Sequence, residues 1–379
     1  MKFYKDSRFI VGLYTLIGLI AGIQRYILGP DRYNNFVIFQ HSIYHFFDHL
    51  NPYLDYSNEY SDVFLYNPSF IVLFMPFALI PTLVGLILWP TFTLVVYYFG
   101  VNTLPFSQQS KVFLFYLIIP EILTSVANLQ TNPLIVAFTI LSVTLLEKEA
   151  YQKAAIFPSL NFFIKGYGAV AGAFFLLKNP RIKTFAYLGL FFLLLGASPL
   201  LFYSWSEFVT LYEQWFVSLK EDYSINTGLS AMGVIKSLLC EDASIPMIQM
   251  VGIVSFLVTF TLLLYRKNYD LVKFHFLAYV LLWMVIFNQA AESPTYIIAS
   301  TGGFIWYLTS HKTWLDKALF MLFFLMTVLA TSDFCPNYIR NTFVNPYSLK
   351  ALPCMLIWLR IQWDLLRTTT QSLDVIYGE

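Results

Sequence analysis

Stretches too oily for water recur along this chain, and they restrict its choice of fold more than any other feature. FIVGLYTLIGLIAGIQRYIL, residues 9–28, is the first of them. A backbone in hydrocarbon must satisfy its own N–H and C=O groups, so a run of about 20 apolar residues becomes a spanning helix. Of the 379 residues 58% are hydrophobic and 12% charged, where soluble domains carry about a quarter charged. The chain therefore reads as an all-α polytopic integral membrane protein, one domain over 1–379 with about 10–12 transmembrane helices. A net charge of +1 argues against nucleic acid as a partner. Cys240, Cys335 and Cys354 fit neither a metal spacing nor a disulfide framework. No small-residue cleavage site follows the first apolar run, so it reads as a span and not as a signal peptide.

Lysine and arginine in short loops mark the cytoplasmic side. Lys2, Lys5 and Arg8 place the N-terminus inside. Lys178–Arg181–Lys183, Arg266–Lys267–Lys273, His311–Lys312–Lys317 and the tail with Arg360 and Arg367 follow on the same side. The first loop, about 26–82, holds Asp31, Asp48, Asp55, Glu59 and Asp62 and is expected outside. So are a second large loop at about 205–247, the stretch Asn288–Glu292 and the stretch Asp333–Asn345. The apolar run 69–80 is short for a span and is interrupted by Pro76 and bounded by Pro81, which predicts a half-helix or interfacial helix. The next true span then starts near Leu83, followed by spans at 112–127 and 132–146, and residues 154–177 cross twice or form a broken pair.

NNFVIFQHSIYHFFDHL, residues 34–50, has a helical period. Phe36, Phe39, Ile43, Phe46, Phe47 and Leu50 share one face; His41, His45, Asp48 and His49 share the other, as in an interfacial helix with a polar face toward an aqueous cavity. Three successive turns of one helix rarely converge on a single tetrahedral ion, so no metal is expected, and no cofactor motif stands out.

Polar residues at membrane depth are costly and are candidates for function. The carboxylates of the first loop, Asn128, Gln130 and Asn132 of NLQTNP, Lys165 and Tyr167 of FFIKGYG, and Glu292 and Tyr296 of NQAAESPTY collect on the expected outer side. Helix capping accounts equally well for NLQTNP. Lys165 interrupts an otherwise apolar segment and is suited to an anion, phosphate being the natural one for a membrane enzyme; the alternative is a lysine snorkelling to the interface.

NPYLDYSNEYSDVFLYNPSFIVLFMPFALIPTLVGLILW resembles glycosyltransferase family 87, with an LY-like pair, Y-x-P at Tyr66–Pro68, P-x-x-x-x-P at Pro76–Pro81 and then Trp89. NLQTNPLIVAFTILSVTLLEKE is similar to that family's N-x-Q-x-N and long helix, AAIFPSLNFFIKGYG to its lysine-containing turn, and NTGLSAMGVIKSLL to a later external segment beginning at Asn226. The stretches NNF-x-IF and ESPTYIIA look like a Bacteroidetes branch of the family. The resemblance implies a GT-C fold in a bacterial cytoplasmic membrane, with an active site facing the periplasm. It implies transfer of a hexose, usually mannose, from a polyprenyl-phosphate donor to a lipid or glycan acceptor. A first-loop Asp or Glu acts as general base in such enzymes. The family's usual acid lies about eighteen residues before the pair; counting back from Tyr53 gives Asn35, an amide that cannot serve. Asp62, Glu59 or Asp31 is then the expected base, with Asp62 first because it directly precedes the Y-x-P segment. Lys165 would hold the donor phosphate, and Asn35, Tyr66, Asn128, Gln130, Asn132, Tyr167, Asn226 and Glu292 would line the substrate pocket. Two readings compete. A transporter or flippase of lipid-linked glycans would show internal repeats and mid-membrane charges, which are not found. A structural membrane subunit with a decayed site is suggested by Asn35.

Overall fold

A computed structural model describes residues 5–178, 182–221, 227–330 and 335–367. Lys2, Arg181, Asn226 and Asp333, which carry some of the expectations above, lie outside the described residues. The described chain is all-helical, at 78% helix without a strand. Among the described residues, four helices are long and apolar enough to cross a membrane: α1 (Ser7–Leu28), Thr82–Asn102, Ile245–Arg266 and Tyr269–Ile286. The expected span at 112–127 is instead a pair, Gln108–Leu117 and Ile119–Ala127, bent by 49° and counting as a fifth span if taken as one. The expectation of ten to twelve spans also draws on shorter apolar helices, among them Asn132–Glu147 and Ile182–Gly196.

The chain divides into two compact units. The first comprises residues 1–105, 125–172 and 181–225. Its α1 starts on the Asp6 side chain, which accepts from the Arg8 amide at 2.8 Å, and stops at Gly29, whose φ of 94° suits a residue without a Cβ. A turn over Pro30–Arg32 leads into α2 (Asn34–Phe47). Next comes α3 (Pro68–Ala78), capped by the Asn67 side chain with Pro68 in the first turn. Its 11 residues span about 16 Å, half of a hydrocarbon core, as expected for the run at 69–80. Past Pro81, α4 (Thr82–Asn102) begins one residue before the expected Leu83. It packs on α1 backbone to backbone, because a Cβ on Gly18 would meet the Thr91 Cα at 2.5 Å and one on Gly22 would strike the Leu86 carbonyl. Residues 154–177 are broken as expected: the helix Tyr151–Ile164 ends at Lys165, whose backbone is extended, and a 3₁₀ stretch, Gly166–Gly172, follows.

The second loop supplies one more helix to this unit, Trp205–Glu221. Tyr203 just before it stacks on Phe46 with ring centroids 4.3 Å apart and donates its hydroxyl to the Phe46 carbonyl at 2.7 Å. Tyr212 meets the Ser69 hydroxyl at 3.1 Å, and the Trp215 indole donates to the Leu65 carbonyl at 3.1 Å. These bonds tie the helix to both α2 and α3.

The second unit comprises residues 106–124, 173–180 and 226–379. Tyr269–Ile286 and Tyr296–Thr309 are almost wholly buried helices in it. A buried ion pair joins Lys350 Nζ to Glu121 Oε1 at 2.9 Å, and the same ammonium donates to the Ser293 hydroxyl at 2.9 Å. With both charges paired and hydrogen-bonded, part of the cost of burying them is offset.

Candidate functional site

The first loop returns to α2 and is fastened there by side chains. Tyr56 donates its hydroxyl to the Asn51 carbonyl at 2.9 Å, and Tyr53 donates to the Tyr66 carbonyl at 3.1 Å. At the start of α2, Asn34 clamps Ser61 from both sides: its amide nitrogen donates to the Ser61 carbonyl, and its oxygen accepts from the Ser61 amide at 2.9 Å. This clamp holds the residue next to Asp62. Asp62 itself has φ of 82°, a left-handed conformation that is costly for a residue with a Cβ. Its exposed carboxylate accepts from the Val63 amide at 2.8 Å. Strained backbone of this kind is held only where neighbours over-determine it, and the Asn34 clamp is such a neighbour.

Glu59 is placed differently. One of its oxygens lies 2.6 Å from His41 Nδ1 and 3.0 Å from His45 Nε2. The hydrogen bond from His41 holds the Glu59 carboxyl below the usual glutamate range. Burial pushes the His45 imidazole below its ordinary value even though Glu59 pulls the other way. The Tyr56 ring stacks on His45 at 3.8 Å. The helix bearing these groups has the expected hydrophobic face at Phe36, Phe39, Ile43 and Phe46, all buried, but Phe47 and Leu50 are exposed and His45 is only 5% exposed. Of the polar face, His45 is covered by the folded loop, whereas His41 is partly exposed and Asp48 and His49 are exposed. His49 pairs with Glu207 at 3.0 Å, away from the other two histidines.

A second cluster assembles at the turn NLQTN and the end of the helix Tyr151–Ile164. Lys165 Nζ donates to Asn132 Oδ1 at 2.9 Å and to Gln130 Oε1 at 3.2 Å, and lies 5.9 Å from the Tyr66 ring centre. The Asn132 amide in turn points to Gln130 Oε1 at 3.4 Å. Both amide oxygens are neutral, so these two bonds position the ammonium without neutralising it. Tyr66 meets the Thr131 hydroxyl at 3.3 Å, and its ring stacks on Phe70 at 4.4 Å. Trp89 donates its indole N–H to the Leu129 carbonyl at 2.9 Å, fixing a turn in which Leu129 has φ of 52°. The Tyr167 hydroxyl is buried and has no hydrogen-bond partner among the described residues.

Asn35 joins the two clusters. Its amide donates to the Asn128 carbonyl at 2.8 Å, so Asn35 acts as a strut between α2 and NLQTN. A polar cleft of about 190 Å³ opens beside it, lined by Arg25, Asp31, Arg32, Asn34, Asn35 and Asn128 among others. Asp31, Asn35, Glu59, Asp62, Tyr66, Asn128, Gln130, Asn132, Lys165 and Tyr167 thus all belong to the first unit. Glu292 belongs to the second, where it opens a short turn and its amide donates to the Thr295 hydroxyl at 3.4 Å; Asn226 lies outside the described residues. Two contributors escaped sequence reasoning. Asn34 looked like its neighbour Asn35, and only the position of Ser61 distinguishes them. His45 was legible as a histidine at helical spacing, but its approach to Glu59 depends on a loop path with no periodic signal.

The family model of glycosyltransferase family 87 matches residues 64–288, more than half of the 379 residues. The matched stretch contains the Tyr66, NLQTN and Lys165 cluster and starts just after Asp62. No curated protein matches the chain.

Proposed function

This chain belongs to glycosyltransferase family 87 and is a membrane glycosyltransferase, and from that premise we propose how it transfers sugar and what it takes. The donor is a polyprenyl-phosphate-linked hexose, mannose being the reading that the resemblance implies, and the acceptor is a lipid or glycan hydroxyl on the outer face of a bacterial cytoplasmic membrane. The fold is of the GT-C type, with the first loop outside and the N-terminus inside. Asp62 takes the proton from the acceptor hydroxyl, the freed oxygen attacks the anomeric carbon, and the phosphate leaves from the opposite face. Lys165 holds that phosphate by a charge-assisted hydrogen bond and stabilises the charge gathering on it. Gln130 and Asn132 aim the ammonium, while Tyr66, Asn128 and Tyr167 line the pocket.

The observation that carries this reading is the set of hydrogen-bonded braces, linked through chain neighbours, between the turn of Asp62 and Lys165. Asn34 clamps Ser61 beside Asp62; its neighbour Asn35 bonds to Asn128; and the turn that Asn128 opens presents Gln130 and Asn132 to Lys165. A carboxylate on a strained, braced turn and a lysine on a braced turn are what an acid–base transfer to a phosphate-linked donor needs. Asp62 is favoured over Glu59, whose carboxylate is engaged by two imidazoles, and over Asp31. Asp62→Asn keeps size and polarity but removes the base. It should abolish sugar transfer in membranes that contain normal amounts of the protein; retained transfer would eliminate Asp62 from the role.

A further inference from the structure

His41, His45 and Glu59 present three ligand atoms to one point. His41 Nδ1, His45 Nε2 and a Glu59 carboxylate oxygen all lie within 4.8 Å of one another. The shared Glu59 oxygen is 2.6 Å from one nitrogen and 3.0 Å from the other, whereas ligands about a tetrahedral zinc at about 2.0–2.1 Å lie about 3.3 Å apart. For an ion to sit between them the Glu59 oxygen must draw back about 0.7 Å from His41 Nδ1 and about 0.3 Å from His45 Nε2, which a turn of the more exposed His41 ring allows.

The histidines are four residues apart, so they stand one above the other on a single face of α2. The loop delivers the third ligand. Glu59 follows a turn closed by its own amide on the Tyr56 carbonyl at 2.7 Å, and the clamp of Asn34 on Ser61 fixes the chain two residues later. Aromatic walls orient the imidazoles: Tyr56 stacks on His45 at 3.8 Å and Tyr60 meets His41 edge-on at 5.8 Å. His49 lies past the end of α2, with φ of 55°, and pairs with Glu207 instead. The ion therefore does not depend on three turns of one helix, the arrangement that geometry disfavours; two turns and a carboxylate from the loop suffice.

We infer that His41, His45 and Glu59 bind a divalent transition-metal ion, zinc by the chemistry of the donor set, that staples the first loop to α2. Two imidazoles and one carboxylate are the borderline-soft set that favours zinc over magnesium or calcium, with a fourth position for water. The site stands independently of the sugar-transfer reading. Only its consequence rests on that reading: a stapled Glu59 fixes the approach of the chain to Asp62, three residues on.

The test uses the full-length protein in nanodiscs, stripped with chelator and titrated with zinc alone, and with cobalt(II) for its visible spectrum. One equivalent of zinc should bind, and cobalt should give the intense visible bands of a tetrahedral site. Glu59→Gln and His41→Ala should each weaken zinc at least about tenfold, whereas His49→Ala should bind as wild type. Both weakened variants change partly exposed side chains, so they are expected to fold even if His45→Ala does not. Thermal unfolding of wild type should shift upward with zinc and that of Glu59→Gln should not. Absence of a stoichiometric site, or equal affinity in wild type, Glu59→Gln and His41→Ala, would overturn the inference. Sugar transfer is measured on the same samples: transfer without zinc binding removes the metal alone, and zinc binding without transfer removes the transfer reading alone.

Discussion

Removing the charge of Lys165 separates donor binding from the rest of the reaction. Lys165→Met keeps a long flexible side chain and deletes the ammonium that reaches Asn132 Oδ1 at 2.9 Å and Gln130 Oε1 at 3.2 Å. A hydrogen bond to a charged group contributes about 1.5–3 kcal/mol. Losing the one made to a donor phosphate therefore weakens donor binding about 10- to 150-fold. The cost to folding is of the same order, because the two bonds lost are worth about 1 kcal/mol each, so thermal unfolding is measured beside the kinetics. Lys165→Arg keeps the charge but replaces a point donor with a planar fork that the Gln130–Asn132 pair is not shaped for, so it should fall between. Initial rates in nanodiscs, with donor varied at fixed acceptor, give the donor KM. The expected pattern is a large rise for methionine, a smaller one for arginine and no change in acceptor KM. A methionine variant that unfolds as wild type and retains its donor KM within about twofold would refute the phosphate role; a change in acceptor KM alone would move Lys165 to the other substrate.

Other variants probe the supports of the site. Asn34→Ala removes both bonds to Ser61 and should cost about 1–2 kcal/mol of stability, with a fall in kcat that exceeds any change in donor KM, read by the same kinetics and by thermal unfolding. Asn35→Asp supplies a carboxylate but turns a donor into an acceptor facing the Asn128 carbonyl; it should lower stability by about 1–3 kcal/mol and should not rescue Asp62→Asn. Gly18→Val and Gly22→Val place side chains on the α4 backbone and should each reduce thermal stability by about 1–3 kcal/mol or more, where Gly12→Ala, which meets nothing within 4 Å, should be neutral or stabilising.

Periodicity and proline carried most of the fold. The apolar run of α1, the shortness of α3 between Pro68 and Pro81 and the start of α4 all follow from runs and breakers readable in one dimension. The 49° bend after Leu117 has a signal in the sequence, Pro120 with Glu121 beside it, but the hydropathy of 112–127 outweighed it and the run was read as one straight span. The helix Trp205–Glu221 was read as loop because its charges placed it outside the membrane; its aromatic residues serve packing on α2 and α3. At the site, Lys165 and NLQTN stood out because polarity is conspicuous in apolar surroundings, and they meet in the structure. Sequence separated Glu59 from Asp62 only by the nearness of Asp62 to the Y-x-P segment. Their difference lies in long-range partners, two imidazoles for one and a braced left-handed turn for the other, and such partners leave no local pattern.

The most direct measurement is donor turnover. Purified protein in nanodiscs is given polyprenyl-phosphate mannose with a panel of lipid and glycan acceptors, and loss of donor is followed together with free polyprenyl phosphate. The account predicts release of one polyprenyl phosphate for each hexose transferred, and none with Asp62→Asn. A wild-type protein that binds the donor yet leaves it intact with every acceptor, or an Asp62→Asn variant that turns it over at the wild-type rate, would contradict it.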